Sequence, residues 1–193
     1  MSEAPTKAEL LARLKQERAA WEGASGGLTR GQLLLPDAVG FWSAKDLQDH
    51  ITSNNRWMAV QLRALLHGTL PAAEDAYGQE QTPLPDTDRA DQDQRNAWWY
   101  SIDRARPLDE TLVAAPLWAA ALAAAIAAVP DEEMARDYTF GDHLHIGQVR
   151  PATTGEPAWS LVSITASYAA EHYAGHNADL RAARERGCYP TAD

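Results

Sequence analysis

Residues 163–187 read "SITASYAAEHYAGHNADLRAARERG". The stretch is built from Ala, Leu, Arg and Glu, which are strong helix formers. No proline interrupts it, and Gly187 supplies a stop. The spacing predicts a helix from about Ala158 to Arg186. Its inward line is expected through Leu161, Ile164, Thr165, Tyr168, His172, His176, Asp179 or Leu180, and Ala183. His172 and His176 then fall on the apolar line, not opposite it. Residues four apart on a helix carry Cβ atoms roughly 5–6 Å apart on one face. Two imidazoles so placed can converge on one metal ion, at nitrogen–metal distances of about 2.0–2.1 Å. They can equally be polar residues satisfied by hydrogen bonds.

The rest of the chain supplies three further helices. "TKAE" (6–9) is a capping box that starts the first, with Leu10, Leu14 and Trp21 at helical spacing and "EGASGG" at its end. "LTRGQLLLPDAVGFW" (28–42) reads mostly as a loop with a short turn, because Pro36 and Gly40 break any pattern. Ser43 then caps a second helix, with Asp46 at its third position and a hydrophobic staple between Trp42 and Leu47. Leu47, Ile51, Met58, Leu62 and Leu65 form its stripe, and Gly68 ends it. Residues 69–88 form a long connection, a crossover or a lid. The third helix comes in two parts, 89–106 and Leu108 to Val129, with an inward line through Leu108, Leu112, Ala119, Leu122, Ile126 and Val129. Pro116 is expected to kink it. Residues 130–157 make a second irregular link, with room for a short strand or a helical turn. Four long helices with two long connections predict an all-α four-helix bundle, one domain over 1–193.

Composition narrows the function. The 193 residues suffice for one sizeable core. A net charge of −10 with no basic stripe argues against nucleic acid and against anionic membrane surfaces. The most apolar stretch, 112–129, contains Pro116 and is mostly alanine, so it reads as a buried helix and not as a membrane span. A single cysteine, Cys188, excludes an intrachain disulfide and fits a cytoplasmic protein. The N-terminus has no signal-peptide core. The expected partner is a small-molecule substrate, taken by a monomer or homodimer.

His50 lies beside Leu47 and Ile51 on the stripe side of the second helix, with Asn54 and Trp57 continuing the same edge. Together with His172 and His176 it makes a candidate three-histidine site. Three protein ligands leave a coordination position open, as in catalytic sites. Three imidazoles suit zinc, nickel, copper or iron alike. Burying three of them without a partner is costly, whereas neutral imidazole is a good ligand. Asp179, three residues after His176, is a candidate outer-shell carboxylate or a solvated acid. Glu171 points about 100° away from His172 and is not read as a ligand; Asp179 or Glu171 is the candidate catalytic outer-shell base. Asn54, Trp57 and Tyr168 are candidates for a substrate pocket. His143 and His145 lie in the second link, and His67 sits at a helix end, where it offsets the dipole.

Several of these stretches resemble a known family. "TKAELLARLKQERAAWE" (6–22), "GFWSAKDLQDHI" (40–51), "RNAWWYSIDRARPLDETL" (95–112) and "EHYAGH" (171–176) look like the DinB-like superfamily, and within it the ClbS/DfsB group. The likeness covers most of the chain and is weakest over 133–157. It implies a four-helix bundle with up-down-down-up connectivity. It also implies a divalent-metal triad on His50, His172 and His176, with nickel or zinc as the usual occupant. Activities in the family include thiol-dependent transfer, isomerisation with a low-molecular-weight thiol, and protection from a genotoxic electrophile by opening a cyclopropane. The resulting expectation is a divalent-metal-dependent hydrolase acting on an electrophilic small molecule. A thiol-dependent S-transferase and a sequestering protein using the same cleft are the alternatives. Hydrolysis is preferred because no basic cluster that would anchor a thiol cofactor is visible.

Overall fold

The computed structural model describes residues 4–69, 75, 92–140 and 149–189, with the backbone alone at 92–95 and 140. Apart from Thr69 and Asp75, the connection read at 69–88 lies outside them, as do His143 and His145.

Helix α1 (Lys7–Ser25) opens on the expected box: the Thr6 hydroxyl accepts from the Glu9 amide, and the Glu9 carboxylate accepts in return from the Thr6 amide. A short helix α2 (Arg30–Leu33), capped in the same way by Thr29, lies in the stretch expected to hold a loop with a short turn. Helix α3 (Ala44–His67) has Ser43 as its cap, with Asp46 closing the box. Gly68 ends it at φ 61°, a left-handed conformation that glycine adopts without steric cost. Helices α4 (Gln92–Asp103) and α5 (Leu108–Ala128) flank Pro107. Helix α5 carries Pro116 inside it without ending there.

The second link contains the helical turn α6 (Asp131–Met134) and three short strands: β1 (Asp137–Phe140), β2 (Val149–Pro151) and β3 (Trp159–Ser160). They form an antiparallel sheet in the order β2-β1-β3, with Tyr138 opposite Pro151 on one side and Trp159 on the other. The chain is thus mostly helical, roughly as expected, with a small sheet in the link that left room for a short strand. The predicted start of the last helix at Ala158 moves to Leu161 because Trp159 and Ser160 pair with β1.

Helix α7 (Leu161–Ala166) passes through a π-helical turn (Ser167–Glu171) into α8 (His172–Glu185). A π turn inserts one residue into the helical repeat. The buried line therefore runs from Leu161 and Thr165 through Ala169 and Ala170 to Tyr173, Asn177 and Leu180. This corrects the line expected through His172 and His176. The extra residue turns both histidines about 100° to its flank, where they are half-buried.

The core joins Leu10, Leu14 and Trp21 of α1 to Ile51, Met58 and Leu62 of α3, Leu122 and Ile126 of α5, and Leu161 and Leu180 of the last helix. Each such aliphatic side chain contributes about 1.5–3 kcal/mol by leaving water. Helix α3 packs most extensively on α5, and α1 on α8. Among the described residues, α5 is the one helix long and apolar enough to cross a membrane, with 28% of its most apolar window buried. It is not the enclosed helix its composition suggests. One face packs on α3, while Leu112, Val113 and Leu117 are exposed. Leu112 was expected to point inward. Thr111 takes that place because its hydroxyl donates to the buried Asp49 carboxylate at 2.9 Å.

Candidate metal centre

His50 stands two turns into α3. Its helix is held on one side by Leu47 and Ile51 in the core and on another by a buried ionic cluster. There Asp49 receives Lys45 at 2.8 Å and Arg106 at 2.7 Å, and Arg106 also pairs with Asp103 at 2.8 Å. Lys45 further donates to the carbonyls of Asp103 and Arg104, and the Ser53 hydroxyl donates to Asp103. Two cations and two carboxylates are thus enclosed with their hydrogen bonds satisfied, the condition under which buried charges are tolerated. Burial raises the Asp103 carboxyl, against the pull of Arg106 and Ser53. The cluster ties α3 to the α4–α5 junction and fixes where His50 emerges.

His172 is the first residue after the π turn, and His176 follows one turn later. The His172 Nε2 atom lies 2.9 Å from His50 Nε2 and 2.9 Å from His176 Nε2. Ring centroids are 4.6–5.3 Å apart in near-perpendicular pairs. An imidazole nitrogen has one in-plane lobe, holding either a proton or a lone pair. The His172 lobe cannot aim at both neighbours, so a hydrogen bond accounts for one contact and leaves the other. A single cation can receive all three lone pairs.

Protonation supports this. Burial is the first cause of a depressed pKa for all three rings. His50 is pushed down to about 3, with His176 adding repulsion. His172 is held well below its usual range by burial and by both neighbours. For His176 the carboxylate of Asp179 opposes the fall. The rings are therefore neutral at pH 7 and offer lone pairs. Asp179 Oδ2 stands 3.1 Å from His176 Nδ1. An ionised carboxylate only accepts, so Nδ1 carries the proton and Nε2 turns its lone pair to the cluster. The three histidines can hold a metal ion.

The other expected residues divide. Asn54 is buried, and its amide donates to the His50 carbonyl at 2.9 Å. Trp57 is buried against Tyr168, with centroids 4.9 Å apart. Glu171 takes no part in the cluster: half exposed, it pairs with Arg13 of α1 at 3.5 Å. His67 is exposed in the last turn of α3.

Trp42 was read only as a staple, yet its ring lies 4.9 Å from His50 and 6.4 Å from His176. Tyr100 stacks on it at 5.9 Å, and Trp99 meets His50 at 6.0 Å. The Nε1–H groups of Trp42 and Trp57 are buried donors with no acceptor among the described residues, and Nδ1 of His50 is buried with no hydrogen-bond partner among them. The ionic cluster was also missed. Its one local signal is Lys45, Asp49 and Ser53 at four-residue spacing, a polar line beside the apolar one.

These features define a mostly helical protein with a three-histidine cluster in which His50 is buried and His172 and His176 are partly buried. No family model and no curated protein matches the chain. Solved structures do share its fold. One, of an uncharacterised protein from Escherichia coli UTI89, is 14% identical over 96% of each chain with a TM-score of 0.65. A protein from Streptococcus pneumoniae is 12% identical, matching 96% of this chain and 93% of its own at a TM-score of 0.65. An uncharacterised protein from Clostridium difficile 630 is 13% identical over 95% and 98%, with a TM-score of 0.62. At these identities the likeness is one of fold alone.

Proposed function

We propose that the chain is a DinB-like four-helix bundle of the ClbS/DfsB kind and acts as a divalent-metal-dependent hydrolase on an electrophilic small molecule in the cytoplasm. Zinc or nickel is the proposed ion, held by His50, His172 and His176. The observation that carries the reading is the double 2.9 Å contact at His172 Nε2, which hydrogen bonding cannot satisfy on both sides. When bound, such an ion supplies Lewis acidity and lowers the pKa of a water that joins it. The chain's own residues do the rest. Asp179 fixes the tautomer of His176, burial keeps the rings neutral, and the aromatic wall of Trp42, Trp99 and Tyr100 limits water around them. The Asp179 side chain is 56% exposed, so its contact with His176 stands at the solvent edge of the centre.

Hydrolysis is favoured over thiol transfer by the state of the nearby cations. Lys45 and Arg106 are held by Asp49 and Asp103, which leaves neither to anchor a thiol cofactor. Elemental analysis tests the centre: about one equivalent of metal per chain is expected in the wild type, with loss in His50→Ala and His172→Ala. Less than about a tenth of an equivalent after soaking removes the proposal. Epoxide opening by water that disappears in both variants supports the hydrolase. A strict requirement for added thiol replaces it with the transferase.

A further inference from the structure

Trp42 meets the histidines of both helices, and its indole N–H is the unusual feature. The residue is 7% exposed, and Nε1 is sealed from solvent without an acceptor among the described residues. Buried indole N–H groups normally find a partner. The local backbone is built to put the ring there. Asp37 adopts φ 57° and Gly40 φ 67°, and the Val39 and Trp42 backbones exchange hydrogen bonds of 2.9 and 3.2 Å. A non-glycine residue at positive φ is uncommon and marks a conformation that its surroundings enforce. The same turn holds Phe41 outward, 73% exposed, with its ring edge-on to Trp42 at 5.8 Å. Phe41 thus extends the aromatic wall from the histidines to the surface.

Resting on the metal-centre reading above, we propose that Trp42 and Phe41 select the ligand: a molecule whose carbonyl-type oxygen accepts from the Trp42 indole N–H and whose adjoining apolar group lies against Phe41. The chemistry restricts the class. An indole N–H gives one neutral hydrogen bond and the wall is otherwise aromatic, so selection beside the ion comes from a single acceptor oxygen and from apolar contact. The acceptor that the described residues do not supply is then part of the ligand, and Trp42 is a specificity-determining residue acting beside the ion.

Cobalt(II)-loaded protein provides the test, since its visible spectrum reports ligands joining the centre. Acetohydroxamate and benzohydroxamate are the probes; both carry a carbonyl oxygen, and the second adds an apolar ring. Trp42→Phe keeps the ring stack but removes the donor, and should weaken both probes by about tenfold, the worth of one hydrogen bond. Phe41→Ala should reduce the preference for benzohydroxamate over acetohydroxamate by about tenfold through lost apolar contact. Unchanged dissociation constants in Trp42→Phe, or an unchanged preference in Phe41→Ala, overturn the proposal while leaving the metal centre standing. Failure of the wild type to take up cobalt overturns both together. Should Trp42→Phe not fold, wild-type protein labelled with nitrogen-15 at its indoles decides. One indole N–H signal must move downfield and exchange more slowly with benzohydroxamate bound, and no movement sinks the idea.

Discussion

Asp179 shows how one exposed carboxylate can govern a buried centre. Its contact with His176 Nδ1 leaves a single tautomer for that ring, with Nε2 facing the other two histidines. Without it the ring can carry its proton on either nitrogen, and part of the population presents N–H where a lone pair is needed. Loss of such an orienting partner typically costs 10–100-fold in metal affinity. Asp179→Ala should therefore weaken metal binding by about 10–100-fold, while the thermal midpoint of chelated protein moves little, since the carboxylate is 56% exposed. Glu171→Ala should leave affinity unchanged, because that side chain pairs with Arg13 on the surface. Competition titration against a chromogenic chelator separates the two. Asp179 was legible in the sequence because it lies three residues from His176 on one helix. Trp42 was not, because only the turn at residues 37–42 folds it back onto rings from α3 and α8.

At the scale of elements, the caps were readable and the π turn was not. Thr6, Ser43 and Gly68 act on atoms within a few residues, so their chemistry is complete in the local sequence. The π turn at Ser167–Glu171 has no local marker of that kind. Uninterrupted 3.6-residue periodicity through it put His172 and His176 on the centre line, whereas the inserted residue puts Tyr173 and Asn177 there. From Leu161 to Tyr173 is twelve residues, three turns at about four per turn, where a regular helix holds about 3.6. Deleting the exposed Ser167 should restore that repeat. Both halves of the core line then stay in register, and α8 is drawn about 1.5 Å towards α7. The variant is expected to keep its helical signal and a thermal midpoint at least equal to wild type, yet to lose metal affinity by about tenfold or more, because His172 and His176 shift along the axis while His50 does not. Retained affinity, or a large fall in midpoint with metal still bound, would show that the π turn serves the core and not the centre. The Lys45–Asp49–Arg106–Asp103 cluster was illegible for a different reason: its charges come from α3 and from both sides of Pro107, and only packing brings them together.

For the whole molecule, the centre trades stability without metal for affinity with it. Folding buries His50 as a neutral ring whose pKa falls to about 3, while in the unfolded chain it titrates near 6.5. The sign follows from proton binding. Between those values the unfolded state holds the proton and the folded state does not, so acid favours unfolding. Above about pH 6.5 the term is flat; below it, stability falls by about 1.4 kcal/mol per pH unit for His50, and His172 acts in the same sense. The carboxylates held low by their partners, Glu9, Asp109, Glu133 and Glu156, lose their contributions only at lower pH, around and below the ordinary carboxyl range. Over pH 6.5 to 5 the histidines lower stability as acid increases, while the raised Asp103 carboxyl acts in the opposite sense. Urea titrations of chelated protein at pH 7.5, 6.5 and 5 should show a constant stability followed by a fall, and His50→Ala should make that fall shallower while the share of His172 remains. Metal at a hundred times its dissociation constant adds about 2.7 kcal/mol to the folded state. For a chain of this length that is about 5–10 °C in thermal midpoint. A midpoint indifferent to both chelator and acid across this interval would mean that the three rings are neither neutral nor shared, and the centre would lose its physical basis.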